Sequence, residues 1–281
     1  MGPYPEPYAS HLPPLLAAAF AEDLPDLTGN AVFAPSDRTS AVLVVKKAGV
    51  LCGMPAFAAA FAFLDAGCTV ELVHVDGEKA AAGESAAKVS GLTRAILAAE
   101  RTALNFATRL SGIATLTRRF VDAVEGTRCR VLDTRKTTPG WRALEKHAVR
   151  CGGGSNHRMG LYDAAMLKDT HLAAAGSLSA AVAKVRERWG ESVPLVVECP
   201  TLPMVQEALA CRVAHVMLDN MDLETIGKAV ALVGGRARLE ASGGVTLETA
   251  RKLAETGVDF ISVGALTHSA PALDLSLQVR P

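Results

Sequence analysis

From about residue 129 to residue 263 the sequence alternates between short apolar runs and amphipathic segments, and few folds satisfy such a pattern. The apolar runs are Cys129–Asp133, Ala164–Lys168, Leu195–Glu198, Ala214–Asp219, Ala237–Ala241 and Asp259–Val263. Between them lie helix-like segments, clearest at Trp141–Arg150, Leu178–Trp189, Leu202–Ala210, Leu223–Val233 and Leu247–Glu255. Strand and helix in strict turn predict parallel βαβ units with right-handed crossovers. Because the runs are nearly continuously apolar, the sheet is expected to be covered on both faces. A complete (β/α)8 barrel needs eight such strands. Six are visible, so the expected fold is an incomplete TIM-like α/β barrel.

The first half reads differently. Ala41–Val45 and Val70–Val75 are strand-like, and Leu16–Ala21 and Ala56–Leu64 are helix-like. A long helical stretch follows from Thr93 to about Val124, with a break expected at Ser111-Gly112. The tail Leu273-Asp-Leu275-Ser-Leu277-Gln-Val279 alternates with the period of a half-buried strand. A lone strand at that place does not extend the barrel and is expected to return to the first domain. The expected organisation is an N-terminal α+β sandwich domain over 1–110, joined by a strand over 271–281, and a barrel domain over 111–270.

Composition narrows the function. The 281 residues are 49% hydrophobic and 21% charged, as in a globular chain. Lys plus Arg and Asp plus Glu both total 29, which argues against a general nucleic-acid binder or a polybasic membrane-surface protein. The uncharged run Ala48–Leu64 is broken by Gly49, Gly53 and Pro55 and is too short to span a bilayer. The apolar patch Leu12–Ala21 has no Lys or Arg before it and does not read as a secretory leader. The six cysteines form no CxxC pair and read as reduced, mostly buried thiols, so a cytoplasmic location is expected.

The chemistry is concentrated where the strands end. The runs close on Asp133, Lys168, Glu198, Asp219, Ser242 and Gly264. In an α/β barrel these ends share one rim, and the active site lies there. Between Arg128 and His171 there are nine Lys or Arg against four Asp or Glu, a local cationic excess in a neutral chain. Arg142, Lys146 and Arg150, four apart, read as a solvated helix face, but Arg135, Lys136, Arg158 and Lys168 fall in loops or at a strand end. Fixed cations in a concave site call for a ligand with several negative charges. Thr138-Pro139 reads as an N-cap and first turn, whose free N–H groups would add an anion site. Ser242-Gly243-Gly244 and Val263-Gly264-Ala265 follow the last two barrel strands, where they serve either as tight turns or as a phosphate cradle. Glu198 and Asp219 end consecutive strands, a pairing suited to magnesium shared with phosphates or to sugar hydroxyls.

Several motifs occur in one order: Asp133-Thr-Arg-Lys-Thr-Thr-Pro-Gly140, Cys151-Gly-Gly-Gly-Ser-Asn-His-Arg158, Lys168-Asp-Thr-His171, Leu218-Asp-Asn220, Glu240-Ala-Ser-Gly-Gly244 and Val263-Gly-Ala-Leu-Thr-His268. Upstream stand Glu22-Asp23, Cys52-Gly53 and Glu100-Arg101-Thr-Ala-Leu-Asn105. Together they closely resemble the quinolinate phosphoribosyltransferases over nearly the whole chain. A paralogous branch of the same fold, linked to molybdenum transport, shares the Arg-Lys-Thr segment but differs around His-Arg and Lys-Asp-x-His.

The resemblance implies an enzyme that joins quinolinate to phosphoribosyl pyrophosphate (PRPP) with Mg²⁺. The products would be nicotinate mononucleotide, pyrophosphate and CO₂, a step of NAD biosynthesis. It implies Lys136, Lys168, Glu198 and Asp219 as the catalytic set. Thr134, Arg135, Lys136, His157, Arg158 and Lys168 would hold carboxylates and phosphoribosyl groups. Glu198 and Asp219 would hold ribose hydroxyls and magnesium, directly or through substrate oxygens. Ser242, Gly243, Gly244, Val263, Gly264 and Ala265 would cradle the 5′-phosphate. Arg101 would reach the neighbouring subunit's site, which makes a homodimer, or a hexamer built from dimers, the expected assembly. The sequence departs from the family pattern at Val196, where a Glu is common, at Thr170, where Asn is usual, and across Leu24–Thr28.

Overall fold

A computed structural model describes residues 6–280. The ends of the two expected domain ranges, residues 1–5 and 281, lie outside them. The chain divides into two compact units: one of residues up to Arg118 with Thr137–Gly153 and the tail from Leu266, the other of Arg119–Lys136 and Gly154–Ala265.

The first unit begins with α1 (Tyr8–Asp23), α2 (Leu27–Val32), β1 (Arg38–Val45), β2 (Gly49–Val50), α3 (Met54–Leu64), β3 (Thr69–Leu72), β4 (Lys79–Ala80), β5 (Ser85–Leu92) and the long α4 (Thr93–Ala123). After β6 (Arg130–Leu132), helix α5 (Arg142–Cys151) belongs to this first unit rather than with the barrel strands that flank it in sequence. The rest is β7 (Ala165–Leu167), α6 (Asp169–Ala175), α7 (Leu178–Trp189), β8 (Leu195–Cys199), α8 (Leu202–Ala210), β9 (His215–Asp219), α9 (Leu223–Val233), β10 (Arg238–Ser242), α10 (Leu247–Glu255), β11 (Phe260–Ser262), α11 (Ala265–His268) and β12 (Leu275–Arg280).

The first unit holds an antiparallel sheet in the order β12-β1-β5-β3. Its centre is β1, whose Ala41, Leu43 and Val45 point inward and are fully buried. The tail strand β12 pairs antiparallel with β1, Leu43 opposite Leu277. Phe57 and Phe61 on α3 pack edge to face at 5.0 Å, adding to the apolar core.

The break expected in α4 is absent: the helix runs unbroken through Ser111-Gly112. Both residues serve packing instead. Ser111 Oγ accepts the Cys52 N–H at 2.9 Å and donates to the Cys52 carbonyl at 3.0 Å. A Cβ on Gly112 would stand 2.1 Å from the Pro271 carbonyl oxygen, so glycine is needed for the tail to cross there. A second expectation also fails. Helix α5 starts at Arg142, not at Thr138-Pro139. Thr138 is tied instead to Glu145, which accepts both its N–H (3.0 Å) and its hydroxyl (2.9 Å). Glu145 is fully buried and paired with Arg109 at 2.8 Å. Lys146, read as part of a solvated face, is buried as well.

The second unit is a parallel six-stranded sheet in the order β6-β11-β10-β9-β8-β7, so it is an incomplete barrel of βαβ units. The first barrel strand pairs with the last, and the pairing is interrupted between β6 and β7, the connection that contains α5. Helices α7, α8, α9 and α10 occupy the ranges expected from sequence, residue for residue. Side-chain caps fix two of their starts: Ser177 Oγ accepts from the Ala180 N–H and Asp222 Oδ1 from the Thr225 N–H.

The role of Gly112 has a signed test. Alanine in an exposed helix interior is favoured over glycine by about 1 kcal/mol. Here Gly112→Ala is expected to destabilise the fold by about 1–3 kcal/mol through overpacking. Chemical denaturation with an unchanged m value reads the difference.

Candidate active site

The strand ends of the second unit enclose a cavity of about 530 Å³ lined by Thr134, Arg135, Lys136, His157, Arg158, Lys168, Glu198, Asp219, Ser242, Gly243 and Gly244, with Met166, Met217, Asn220, Glu240 and Ser262. Most of the candidate residues therefore meet at one place. They come from the loops after β6 and β10, from the loop before β7, and from the ends of β7, β8, β9 and β10.

Each is positioned by a local interaction. Asp133, at the end of β6, is fully buried and does not line the cavity. It anchors the next loop instead, accepting from Asn156 Nδ2 (2.5 Å) and the His157 N–H (2.8 Å). That bond sets His157, whose Nδ1 accepts the Arg158 N–H at 2.6 Å. Arg158 donates from Nη1 to the Ala164 carbonyl at 2.8 Å. Burial, and then the charge of Arg135, hold its pKa below the ordinary arginine value. Two guanidiniums held close in a partly desolvated site await an anion. Arg135 Nε adds to this: it is buried with no hydrogen-bond partner in the protein, a donor left over for a ligand.

Lys168 leads into α6, its N–H donating to His171 Nδ1 at 3.1 Å. Its Nζ lies 3.3 Å from Glu198 Oε1. Asp219 accepts from Asn220 Nδ2 at 3.0 Å, and Asn220, with φ +54°, donates its N–H to the Ser242 carbonyl at 2.9 Å. This turn explains the glycine after Ser242. A Cβ on Gly243 would lie 2.0 Å from Asn220 Oδ1, and its φ of +98° disfavours any side chain.

Four candidates stand elsewhere. Val263 is buried, and its N–H is committed to the Leu132 carbonyl at 2.9 Å, so it cannot offer that amide to a phosphate. Gly264 and Ala265, leading into α11, do not line the cavity. Arg101 lies in the first unit on α4, exposed, in a cleft shared with Asp23, Leu24, Leu27 and Glu100.

Sequence reasoning missed Glu240 as a site residue. It is fully buried on β10, within 2.9 Å of His215 Nε2 and 3.5 Å of His157 Nε2, and it accepts from the Ser262 hydroxyl. Burial pushes its carboxyl up, but hydrogen bonds from the two histidines outweigh this and leave it below the usual carboxylate range. The available signal was an acid between the apolar residues Leu239 and Ala241 of a strand-like run. Asn220 and Ser262, also missed, carry ordinary turn and strand chemistry. Of the departures, Val196 is buried within β8 and Thr170 is exposed on α6.

The same arrangement has relatives. The model for the quinolinate phosphoribosyl transferase C-terminal domain matches residues 113–278, and that for the N-terminal domain matches residues 26–111. The chain belongs to the quinolinate phosphoribosyltransferase family. A Bacillus subtilis member described as a probable nicotinate-nucleotide pyrophosphorylase [carboxylating] is 42% identical, with 94% of this chain and 92% of that protein covered. A Synechocystis protein with the same description is 44% identical over 86% of this chain and 83% of its own. The solved nicotinate-nucleotide pyrophosphorylase of Francisella tularensis superposes with a TM-score of 0.91 at 38% identity, covering 96% of each chain. These relatives are the transferases, not the molybdenum-linked branch.

The Glu240 network predicts a pH response within this family member. A carboxyl whose folded pKa lies below its unfolded value of about 4.3 stabilises the fold at higher pH and loses that contribution as pH falls through the folded pKa. Unfolding midpoints between about pH 5 and 3 should therefore drop more steeply for the unsubstituted protein than for Glu240→Gln. Parallel curves for the two would show that Glu240 does not carry the effect.

Proposed function

We propose that this chain transfers the phosphoribosyl group of PRPP to quinolinate with decarboxylation, releasing nicotinate mononucleotide, pyrophosphate and CO₂ as a step toward NAD. One observation carries the reading: four cations (Arg135, Lys136, Arg158 and Lys168) share a cavity with two carboxylates from adjacent strand ends, and one guanidinium donor is left without a partner. Quinolinate is a dicarboxylate and PRPP carries several phosphate charges, so both need such a cluster.

The residues divide the work by charge. Arg135, Lys136, Arg158 and Lys168, with Thr134 and His157, hold the carboxylates and the pyrophosphate. Ser242, Gly243 and Gly244 offer a hydroxyl and open backbone to the 5′-phosphate. Glu198 and Asp219 take the ribose hydroxyls and face the carbon that gains oxocarbenium character as pyrophosphate leaves. The pyridine nitrogen then bonds to that carbon and becomes cationic. The C2–carboxylate bond breaks to give CO₂, its electron pair remaining on C2 beside the N⁺, where a proton replaces it. The cations stabilise charge on the leaving group, an electrostatic contribution of the kind that dominates many enzymes.

The donor chemistry around Glu198 and Asp219 suits magnesium: hard carboxylate oxygens, with no cysteine among the lining residues. Bound there, magnesium would neutralise pyrophosphate charge. The reading includes a homodimer in which Arg101 completes the neighbouring site. In its favour, Leu24 and Leu27, in the same cleft as Arg101, are 41% and 79% exposed. It also includes a cytoplasmic location, in keeping with six free thiols. No helix among the described residues is long and apolar enough to cross a membrane.

Product formation from quinolinate, PRPP and Mg²⁺, with nicotinate and nicotinamide as parallel acceptors, tests the reaction. Nicotinate mononucleotide and CO₂ are expected from quinolinate alone, and a folded protein that makes neither overturns the reading. Lys168→Ala is expected to lower turnover by about 10²–10³-fold. A second prediction concerns the shared site. Arg101→Ala and Lys168→Ala, each nearly inactive alone, should regain activity when their subunits are exchanged, since one site in the mixed dimer is then intact. Exchange without recovery would place Arg101 outside the neighbour's site.

A further inference from the structure

The cavity just described uses none of the six cysteines, yet two of them meet elsewhere. In the first unit, one ligand atom each of Cys52, Asp76, His147 and Cys151 lie within 4.8 Å of one another. Cys52 stands just before α3, Asp76 between β3 and β4, and His147 and Cys151 lie four residues apart on one face of α5.

The distances have the form of a coordination shell. His147 Nε2 is 3.0 Å from Asp76 Oδ2 and 3.3 Å from Cys151 Sγ, and Cys52 Sγ is 3.6 Å from the same Oδ2. A tetrahedral zinc site, with Zn–S about 2.3 Å and Zn–N or Zn–O about 2.0–2.2 Å, has ligand-to-ligand edges of roughly 3.3–3.8 Å. The observed edges sit at or just under that range, as expected where hydrogen bonds rather than a cation draw the four groups together.

The surroundings hold the donors in place. Asp76 Oδ1 accepts the Met54 N–H at 2.9 Å, which turns Oδ2 toward the cluster. The fully buried Tyr8 donates to Oδ2 at 2.5 Å, and its ring meets His147 edge-on at 5.2 Å. Second-shell bonds of this kind orient metal ligands. Cys52 is fully buried while the other three are partly exposed, which leaves a path for an ion. Arg150 is exposed, and its Nη2 lies 3.4 Å from His147 Nδ1, the ring nitrogen that faces away from the cluster's Nε2 contacts.

We propose that Cys52, Asp76, His147 and Cys151 form a structural site for one thiophilic divalent cation, zinc above all, which ties α5 to the start of α3 and to the β3–β4 turn. Two thiolates and an imidazole select zinc over magnesium. Four protein ligands fill a tetrahedral shell, so the site is structural rather than catalytic. It is independent of the reaction proposed above, and its test does not use that reaction.

The experiment takes the full, tag-free chain, reduced and stripped with a chelator, and titrates it with Co²⁺ alone. One equivalent per chain should bind, with tetrahedral d–d absorption and a thiolate-to-cobalt charge-transfer band. One equivalent of Zn²⁺ should bleach both and raise the unfolding midpoint. Cys151→Ser and His147→Gln, both at partly exposed positions, should weaken cobalt binding by about 10–100-fold or more. Their far-UV spectra should stay unchanged. Cys52→Ser changes a fully buried thiol, so those two variants carry the test if it does not fold. A reduced chain that takes up no cobalt, a spectrum without the charge-transfer band, or a cobalt affinity in both variants unchanged from that of the unsubstituted chain would overturn the proposal.

Discussion

Parallel main-chain pairing in the second unit is the constraint on which the site depends. The register sets Asp219 opposite Ser242, Ser262 opposite Leu132, and Cys199 opposite Leu218. Side chains far apart in sequence therefore emerge at one edge of the sheet, and the loops after them have nowhere else to converge. Because the strands are mostly apolar, a slip in register would bury ionisable residues such as Asp219 or Glu198 without partners, at a cost of several kcal/mol. The pairing and the site are specified together.

Two buried carboxylates show how such a charged edge is kept in order, and a third does the same work within the first unit. Asp133 holds the loop that carries His157 and Arg158. Glu240 lines the cavity and is buried between two histidines and a serine. In the first unit, Glu145 gathers Arg109 and both donors of Thr138. A buried carboxylate is costly unless it is paired and hydrogen-bonded, and each of these is. Each accepts backbone or side-chain donors from residues distant in sequence, so each fixes loop geometry that apolar packing alone would leave loose. The cations that face the cavity stay poised for an anion because these acids are already engaged elsewhere.

This division explains which parts of the molecule could be read from the sequence. The barrel strands and helices were legible because their signal is local: an apolar run, a polar turn, an amphipathic segment. The cations and the Glu198–Asp219 pair were legible because strand ends carry them. Strand β5 was not, since Ser85-Ala-Ala-Lys-Val-Ser-Gly-Leu92 is built from small residues with little hydrophobic contrast. It nonetheless pairs with both β1 and β3. Glycine was read as a breaker at Gly112, where the structure uses it for close approach, a distinction that depends on Pro271, 159 positions away. The N-cap expected at Thr138 failed for a similar reason: a buried acid seven residues on takes the donors that would have started a helix.

The cysteines carry the same argument furthest. None stands in a CxxC pair, and Cys52 and Cys151 are separated by 99 positions, so no spacing rule joins them. Folding brings them together because α5 leaves the alternation of the barrel and packs with the first unit, and because Ser111 clamps Cys52 from both sides of its backbone. The result is a chain with two donor sets of opposite character. Carboxylates, hydroxyls and glycines surround the cavity of the second unit, while thiols, an imidazole and one carboxylate gather in the first. Hard oxygen donors favour magnesium, and soft sulfur donors favour zinc, whose intrinsic affinity for most sites is higher. Keeping the two sets in separate units means a thiophilic ion need not compete for the carboxylates, and no thiol lines the charged cavity.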